Sequence, residues 1–227
     1  MIKNLSFRIV IPFFNAERYI EKCIDSIQNQ SFKKFKVLII DDCSTDNSFE
    51  IAQMKIKNDE RFSIIKNKKN LGNLHNIVKG LDFSSDLPHE TIDILIDGDD
   101  WLFSNDVLDI VVLTYLNTNC LITYGTLIHK DGKGRFGRKY PLRTILTNNY
   151  RKVNWLGTHL RTFRHDLWLQ INNKDLLDNN GKYFNTSWDL AIMFPMLEMA
   201  GIRQECISDI LNCYNNENPL CDHYIKK

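Results

Sequence analysis

The alternation of two hydrophobic periods along the first hundred residues constrains this chain more than any other feature. Short apolar runs typical of buried strands lie at residues 8–11, 35–40, 62–65 and 92–96. Segments with the apolar spacing of helices separate these runs, at residues 15–30, 46–57 and 72–81. Strand and helix in this order predict a parallel sheet with helices on its faces.

The rhythm changes after Trp101. The spacing predicts helices at residues 107–116, 167–171 and 190–200, and strands at residues 121–128 and 206–214. The segment at residues 130–149 is basic and is expected to be irregular. With 227 residues, 43% of them hydrophobic, the chain can bury one substantial core. We therefore predict an α/β fold with a mixed, mostly parallel sheet flanked by helices, in a single domain of residues 1–227.

Polar residues follow three of the predicted strands at the point where each strand ends. These residues lie at positions 12–15, 41–42 and 97–100, and Asn15 is also placed to cap the next helix. In open parallel sheets, ligands bind outside the carboxyl ends of the strands. We therefore expect the three polar segments to meet at one edge of the sheet.

The acidic cluster Asp97-Gly98-Asp99-Asp100 indicates a metal site. Three carboxylates so close together repel one another unless a cation compensates their charge. A hard divalent ion held by one or two carboxylates and by substrate phosphates is the usual solution. A solvated acidic turn is the alternative, since Asp-Gly is a favourable turn dipeptide. For Asp41-Asp42 the alternative to a binding role is a cap between strand and helix.

Composition excludes several other classes of protein. The formal net charge of +1 creates no global field that favours nucleic acid or an anionic membrane. The six cysteines form no CxxC pair, so we interpret them as reduced thiols of a cytoplasmic protein. The apolar runs are too short to be a signal peptide or a transmembrane segment. We expect a cytoplasmic protein, peripheral at a membrane if its substrate is membrane-bound.

Three motifs in order carry a resemblance to a known family. They lie at residues 9–20 (IVIPFFNAERYI), 26–32 (SIQNQSF) and 37–46 (VLIIDDCSTD). Together they resemble the inverting family 2 glycosyltransferases of the Rossmann-like GT-A fold, and Asp97-Gly98-Asp99-Asp100 resembles the DxD motif of that family. The resemblance covers residues 7–103. It implies a nucleotide-sugar donor, most often a UDP-sugar, Mn²⁺ or Mg²⁺ as cofactor, and a glycan or lipid-linked saccharide as acceptor.

The resemblance also implies roles for single residues. It places on the donor side Pro12, Phe14, Asn15, Glu17, Asp42, Asn70, His75, Asp97, Gly98, Asp99 and Asp100. Among these, Asp42 would accept a hydrogen bond from the nucleobase, Asp97 would contact the ribose or lie behind the metal, and Asp99 would hold the metal. Asp100 would support that ion or meet the sugar. His223 would complete the metal shell or touch the diphosphate, with an exposed tail histidine as the alternative.

The chain departs from the family pattern at three donor-side positions. Phe14 stands where tyrosine is frequent, Cys43 stands where glycine is common, and His75 stands where an arginine usually faces the donor diphosphate. The histidine at position 75 therefore leaves open which residue binds the diphosphate.

Residues 1–103 would form the half that binds the donor, and residues 104–227 the half that binds the acceptor. Asp189 stands where the family places its catalytic base, although the usual Glu-Asp pair is Trp188-Asp189 here. A helix N-cap is the alternative reading of Asp189. His159 and Arg161 are candidates to bind the acceptor or a phosphate, with a polar pair at a strand edge as the alternative. Trp101 and Trp188 are further acceptor-side candidates.

A dinucleotide-binding site and a nucleotidyltransferase fit this sequence less well. Residues 132–137 match G-x-G-x-x-G, but no strand–helix unit surrounds them, so we predict a hairpin or loop. A nucleotidyltransferase would carry a Gly-rich basic loop after its first strand, where this chain has Pro12-Phe13-Phe14-Asn15. A nucleotide-sugar-binding scaffold that has lost turnover remains the non-enzymatic alternative. A nucleic-acid partner is not expected, and the oligomeric state is left open.

Overall fold

A computed structural model describes residues 5–83 and 91–219 of the chain. Its first half alternates strand and helix. The strands are β1 (Ser6–Phe13), β2 (Phe35–Asp41), β3 (Phe62–Lys66) and β4 (Thr91–Leu95). The helices between them are α1 (Ile20–Gln28), α2 (Ser48–Ile56) and α3 (Asn73–Leu81). All seven elements were predicted from hydrophobic spacing.

The second half is less regular. Its helices are α4 (Val107–Thr118), α5 (Leu142–Leu146), α6 (His165–Trp168) and α7 (Trp188–Ala200), with 3-10 turns at Tyr150–Lys152 and Asn173–Leu176. Its strands are β5 (Trp101–Leu102), β6 (Ile122–His129), β7 (Arg135–Phe136), β8 (Thr158–Arg164) and β9 (Gln204–Tyr214). The motif at residues 132–137 thus lies in a β6–β7 hairpin, as predicted, and not in a dinucleotide site.

One sheet joins both halves of the described chain. Its nine strands follow the order β3-β2-β1-β4-β8-β6-β9-β5, with β7 paired to β6. The β3-β2-β1-β4 part is parallel, and β8 then pairs with β4 and with β6 in antiparallel fashion. The predicted mixed, mostly parallel α/β fold is confirmed.

The core lies on both faces of this sheet because the parallel strands are apolar on both sides. Alternate residues of β1 show this directly, since Ile9 and Ile11 pack with α1, α2 and α4 while Val10 packs with α3, α6 and α7. The parallel strands β1 and β4 are buried along their whole length. No helix within the described residues is both long and apolar enough to cross a membrane.

Two predictions about local structure are wrong. The first helix begins at Ile20 and not near residue 15, and Asn15 does not cap it. Asn15 instead has φ of 49° and accepts a hydrogen bond from the backbone N–H of Thr45 at 2.9 Å. Residues 130–149, which were expected to be irregular, contain the helix α5. In addition, β8 was not predicted, although it occupies the middle of the sheet.

A buried ionic cluster links β1, β4 and α6. The Arg8 Nε donates to Asp93 Oδ1 at 2.7 Å, and His165 Nδ1 lies 2.8 Å from Asp93 Oδ2. The Asp93 side chain is fully buried and that of Arg8 is 8% exposed. Removing one partner of such a pair leaves an uncompensated charge in the interior.

We therefore expect Asp93→Asn to lower the free energy of unfolding by about 3–5 kcal/mol. Urea denaturation followed by circular dichroism measures this change. The matched control is Lys55→Met, which removes the surface pairs of Lys55 with Glu21 and Asp25 and should cost about 1 kcal/mol or less. Equal costs for the two variants would contradict the structural role assigned to Asp93.

Candidate active site

The carboxyl ends of β2, β1 and β4 lie side by side, as the sequence predicted. The backbone N–H of Asp42 donates to the carbonyl of Phe13 at 2.8 Å, and that of Gly98 donates to the carbonyl of Pro12 at 3.1 Å. A Cβ on Gly98 would lie 2.5 Å from the Cβ of Phe13. Glycine is therefore required where the acidic loop passes over β1.

The loops after β1 and β2 hold each other by reciprocal hydrogen bonds. Asn15 accepts from Thr45, as described above, and its own N–H donates to Ser44 Oγ at 2.9 Å. Glu17 Oε2 accepts from the backbone N–H of Asn47 at 3.2 Å. Asn15 and Glu17 thus fix the shape of this edge. Phe14, in the loop after β1, has 37% of its surface exposed.

Asp42 organises the loop that precedes α3. Its Oδ1 accepts from Asn67 Nδ2 and from the backbone N–H of Leu71, both at 2.9 Å, and its Oδ2 accepts from the N–H of Gly72 at 2.8 Å. Asp42 is 4% exposed, and its carboxylate already accepts three hydrogen bonds. Of its roughly four acceptor positions, one remains for a ligand. Asn70 is exposed on the same loop.

His75 lies in the first turn of α3 and packs edge-on against Tyr183, with ring centroids 5.3 Å apart. Burial, and then the charge of Lys79, lower the pKa of His75. The ring is therefore neutral at neutral pH. It carries no charge with which to replace the arginine that the resemblance leads one to expect there.

The three carboxylates of the acidic loop have different environments. Asp97 accepts from Asn73 Nδ2 at 3.2 Å, and Asp99 accepts from Asn218 Nδ2 at 2.6 Å. Asp100 is buried and accepts from Asn212 Nδ2 at 3.0 Å and from the backbone N–H of Asn215 at 2.9 Å. These asparagine partners were not predicted.

Burial and mutual repulsion act on the charges of this loop. Burial, followed by Asp99 and Asp97, raises the pKa of Asp100 well above its usual range. Burial and then Asp97 raise the pKa of Asp99 to about 6. For Asp97, burial acts in the same direction, but the neighbouring His159, and then Arg161, hold its pKa below the usual value. Keeping all three carboxylates ionised without a cation therefore reduces the stability of the fold.

His159 brings a nitrogen ligand to this acidic loop. It lies at the start of β8, which runs antiparallel to β4, and its Nε2 is 3.4 Å from Asp97 Oδ2. Burial and then Arg161 lower the pKa of His159, so the ring is neutral. Ligand atoms of Asp97, Asp100 and His159 all lie within 4.8 Å of one another. The buried Nε2 makes no hydrogen bond within the described structure. These residues fit a divalent cation.

Arg161 and Asp189 form a pair beside that cluster. The Arg161 Nη2 donates to Asp189 Oδ2 at 3.2 Å, and the guanidinium lies 5.0 Å from the ring centroid of Trp188. Arg161 is 4% exposed, and its Nε and Nη1 have no hydrogen-bond partner among the described residues. The Asp189 side chain is 24% exposed at the first turn of α7. The pair therefore combines an accessible carboxylate with two buried, unused donors.

Comparison with known proteins identifies the family. The model of the family described as "Glycosyl transferase family 2" matches residues 8–180. The chain belongs to this family. The resemblance read from the sequence is thereby confirmed.

Family 2 relatives cover part of the chain at moderate identity. A glycosyltransferase of Haemophilus influenzae is 32% identical over 144 residues, which are 62% of this chain and 43% of that protein. The GalNAc(5)-diNAcBac-PP-undecaprenol β-1,3-glucosyltransferase of Campylobacter jejuni is 31% identical over 133 residues, 56% of this chain and 42% of that protein. The matches thus span less than half of each of these two relatives.

Two solved structures share the fold of this chain. Staphylococcus aureus TarS 1-349 in complex with UDP-GlcNAc superposes with a TM-score of 0.72 at 18% identity, covering 98% of this chain and 61% of that one. The mannosyltransferase PcManGT of Pyrobaculum calidifontis, in complex with GDP-Man and Mn²⁺, gives a TM-score of 0.62 at 15% identity, covering 94% and 57%. These matches confirm the GT-A fold.

One predicted acceptor-side residue of this family 2 chain is largely buried. Trp101 is 8% exposed on β5, and the Lys22 ammonium lies 3.5 Å from its ring centroid, so little of the ring is free for an acceptor. His223 lies outside the described residues. Its predicted place in the metal shell, like that of Asp99, stays a prediction.

The raised pKa of Asp99 predicts a pH-dependent stability. An aspartate of pKa 3.8 in the unfolded chain and about 6 in the folded protein stabilises the fold at low pH, and this contribution is lost as the pH rises through 6. The free energy of unfolding of the wild type, relative to Asp99→Asn, should therefore fall by about 2 kcal/mol between pH 4 and pH 7.

Urea denaturation of both proteins in EDTA at four pH values measures this difference. Asparagine can still accept the hydrogen bond of Asn218, so the variant isolates the charge. Millimolar Mn²⁺ should reduce the loss in the wild type. A difference between the two proteins that does not change with pH would contradict the prediction.

Proposed function

We propose that this chain is an inverting glycosyltransferase that moves a sugar from a nucleotide-sugar, most simply a UDP-sugar, to a glycan or lipid-linked saccharide. The observation that carries the proposal is the meeting of the Asp97–Asp100 loop with His159, Arg161 and Asp189 at the carboxyl edge of the sheet. Structures of TarS with UDP and with UDP-GlcNAc, which share this fold, support a UDP donor.

The donor would bind between the loops after β1, β2 and β4. The exposed ring of Phe14 is placed to stack on the base, and Asp42 keeps one acceptor position for a base N–H. Pro12, Asn15, Glu17 and Asn70 shape the surrounding edge. We assign the diphosphate to Arg161, because His75 is neutral and Arg161 holds two unpaired donors in a buried position.

A divalent cation, Mn²⁺ or Mg²⁺, would be held by Asp97, Asp100 and His159, with Asp99 and His223 as further candidates. When bound, it would offset the negative charge that develops on the departing diphosphate. The neutral ring of His159 is the form that binds metals. Burial and the neighbouring carboxylates raise the pKa of Asp100, and a bound cation would offset both effects.

Asp189 would act as the general base. In a single in-line displacement, its carboxylate takes the proton of the acceptor hydroxyl as that oxygen attacks the anomeric carbon, and the configuration inverts. Arg161 and the first turn of α7 hold the carboxylate in place. Trp188 lies at the same point and is placed to contact the acceptor.

We also propose that residues 1–227 act as one domain, with residues 1–103 binding the donor and residues 104–227 the acceptor. Pairing of β4 with β8 supports this, because it places Asp97 from the first half beside His159 from the second.

A thermal-shift screen tests the donor site. UDP, UDP-GlcNAc, GDP and GDP-mannose are added to the wild type with and without Mn²⁺. A ligand at a hundred times its Kd should add about 2.7 kcal/mol of stability. We expect one nucleotide family to stabilise the protein only with metal, and Asp99→Ala but not the exposed Asp166→Ala to abolish the effect.

Absence of stabilisation by every nucleotide would contradict the proposal. Stabilisation without release of nucleoside diphosphate from the same nucleotide-sugar, when saccharide acceptors are supplied, would favour a binding protein that has lost turnover.

A further inference from the structure

One segment of this chain carries several positive charges and no negative charge. Residues 138–153 contain five basic residues and no acidic residue, although the formal net charge of the whole chain is +1. We call these residues the basic segment; its charged side chains are Arg138, Lys139, Arg143, Arg151 and Lys152. All five residues are exposed. The net charge of the whole chain therefore does not reveal this local excess of positive charge.

The same segment exposes large apolar side chains. Leu142 is 63% exposed and Leu146 is 68% exposed, and they lie four residues apart on α5, hence on one side of it. Val153 is 39% exposed after the following 3-10 turn. Leucines so far from the core carry a cost in water that a partner surface would remove.

The exposure of these leucines is not the result of a loosely attached loop. Tyr140 and Tyr150 flank α5 and are buried, with ring centroids 5.1 Å apart. The backbone N–H of Tyr140 donates to Tyr124 Oη, and Tyr140 Oη accepts from the N–H of Leu156. Thr144, between the two leucines, is buried. The basic segment is therefore fixed to the sheet with its leucines directed outward.

Some of the basic side chains of this segment remain available to contact an anionic partner. Lys139 lies 3.3 Å from Glu205 and Arg151 lies 2.6 Å from Glu198, so these two are partly compensated. Arg143 and Lys152 form no ion pair with the part of the chain that the structure describes. Exposed cations beside exposed leucines match the chemistry of an anionic lipid surface, which offers negative headgroups above an apolar interior. Nucleic acid would use the cations but not the leucines.

We propose that the basic segment docks this protein on an anionic lipid membrane, with Leu142 and Leu146 inserted among the lipids. Only a few residues separate Val153 from Thr158, where β8 begins and leads to His159. The basic segment is therefore close in the sequence to the strand that brings His159 and Arg161 to the site. The docking does not depend on the proposed transfer reaction.

Vesicle co-sedimentation of the 227-residue chain tests the docking. We expect binding to phosphatidylcholine vesicles that contain 30% phosphatidylglycerol, and at least tenfold weaker binding to pure phosphatidylcholine. Neutralising Arg143 and Lys152 together (Arg143→Gln, Lys152→Gln) should weaken binding roughly thirtyfold. The pair Leu142→Ser, Leu146→Ser should weaken it at least about tenfold.

Matched control variants change exposed residues far from the basic segment in the sequence. The pair Met54→Ser, Leu113→Ser removes equally exposed apolar side chains from α2 and α4, and the pair Lys33→Gln, Lys57→Gln removes two exposed cations. Both should bind vesicles like the wild type, and thermal denaturation should show all variants folded. Loss of binding in the controls would overturn the proposal, as would failure of the wild type to bind.

Two further outcomes would also overturn it. If the charge pair loses binding and the leucine pair does not, the contact is electrostatic only and no insertion occurs. If a 20-nucleotide single-stranded RNA binds as tightly as the anionic vesicles and competes with them, the segment is a nucleic-acid surface.

Discussion

Replacing Asp189 by asparagine should lower kcat for sugar transfer by about 10²- to 10⁴-fold and change the KM for the donor by about threefold or less. The reason is that Asp189 is the carboxylate assigned to receive the proton of the acceptor hydroxyl, while the donor edge lies on other strands. Asparagine keeps the size of the side chain and an oxygen that can accept from Arg161. Steady-state release of nucleoside diphosphate at saturating acceptor measures kcat.

The controls separate the base from a merely structural aspartate. Asp166→Asn changes an exposed aspartate in the first turn of α6 and should leave kcat unaltered. The Asp189→Asn protein should also bind UDP and unfold thermally like the wild type. A kcat within threefold of the wild type would sink the assignment of Asp189 as base and leave it as a structural partner of Arg161.

The donor half could be predicted from the sequence because its signals are local. Buried parallel strands are apolar on both faces, so β1, β2, β3 and β4 stand out as short apolar runs. Their order in a parallel sheet then brings the polar strand ends together without further information. The start of α1 was missed for a different reason. Residues 15–19 are held by hydrogen bonds to the loop after β2, which hydrophobic spacing cannot reveal.

The central strand β8 could not be predicted from hydrophobicity. Its sequence, THLRTFR, places a histidine and two arginines at buried positions, a pattern typical of exposed segments. Those side chains are accommodated only because partners reach them from elsewhere, as Asp97 reaches His159 and Asp189 reaches Arg161. The buried polar residues of β8, His159 and Arg161, are therefore the ones that belong to the site.

The asparagines that contact the acidic loop could not be predicted, because they are far from it in the sequence. Asn212, Asn215 and Asn218 lie more than 110 residues after the carboxylates that they contact. Asparagine is common in this sequence and carries no motif at these positions. Only the pairing of β9 with β5 shows why they belong to the site, because it brings the end of the described chain beside the strand that follows the loop.

Arg161→Lys should weaken the binding of UDP at least about tenfold while leaving the binding of uridine unchanged. Lysine keeps the charge and can keep the ion pair with Asp189, but it cannot replace the Nε and Nη1 donors that lack partners in the protein. One hydrogen bond to a charged group is worth about 1.5–3 kcal/mol, and about 1.4 kcal/mol is a factor of ten in affinity. Calorimetric titration with both ligands in Mn²⁺ measures the difference.

His75→Ala supplies the comparison, because His75 stands at the position where the family pattern has its arginine. Its ring is neutral and packed on Tyr183, so the variant should change the affinity for UDP less than about threefold. If UDP and uridine weaken equally in Arg161→Lys, the arginine acts on the shape of the pocket and not on the diphosphate. If only the KM for the acceptor changes, Arg161 belongs to the acceptor side. A selective loss for UDP would mean that β8 supplies the charge that α3 lacks in this chain.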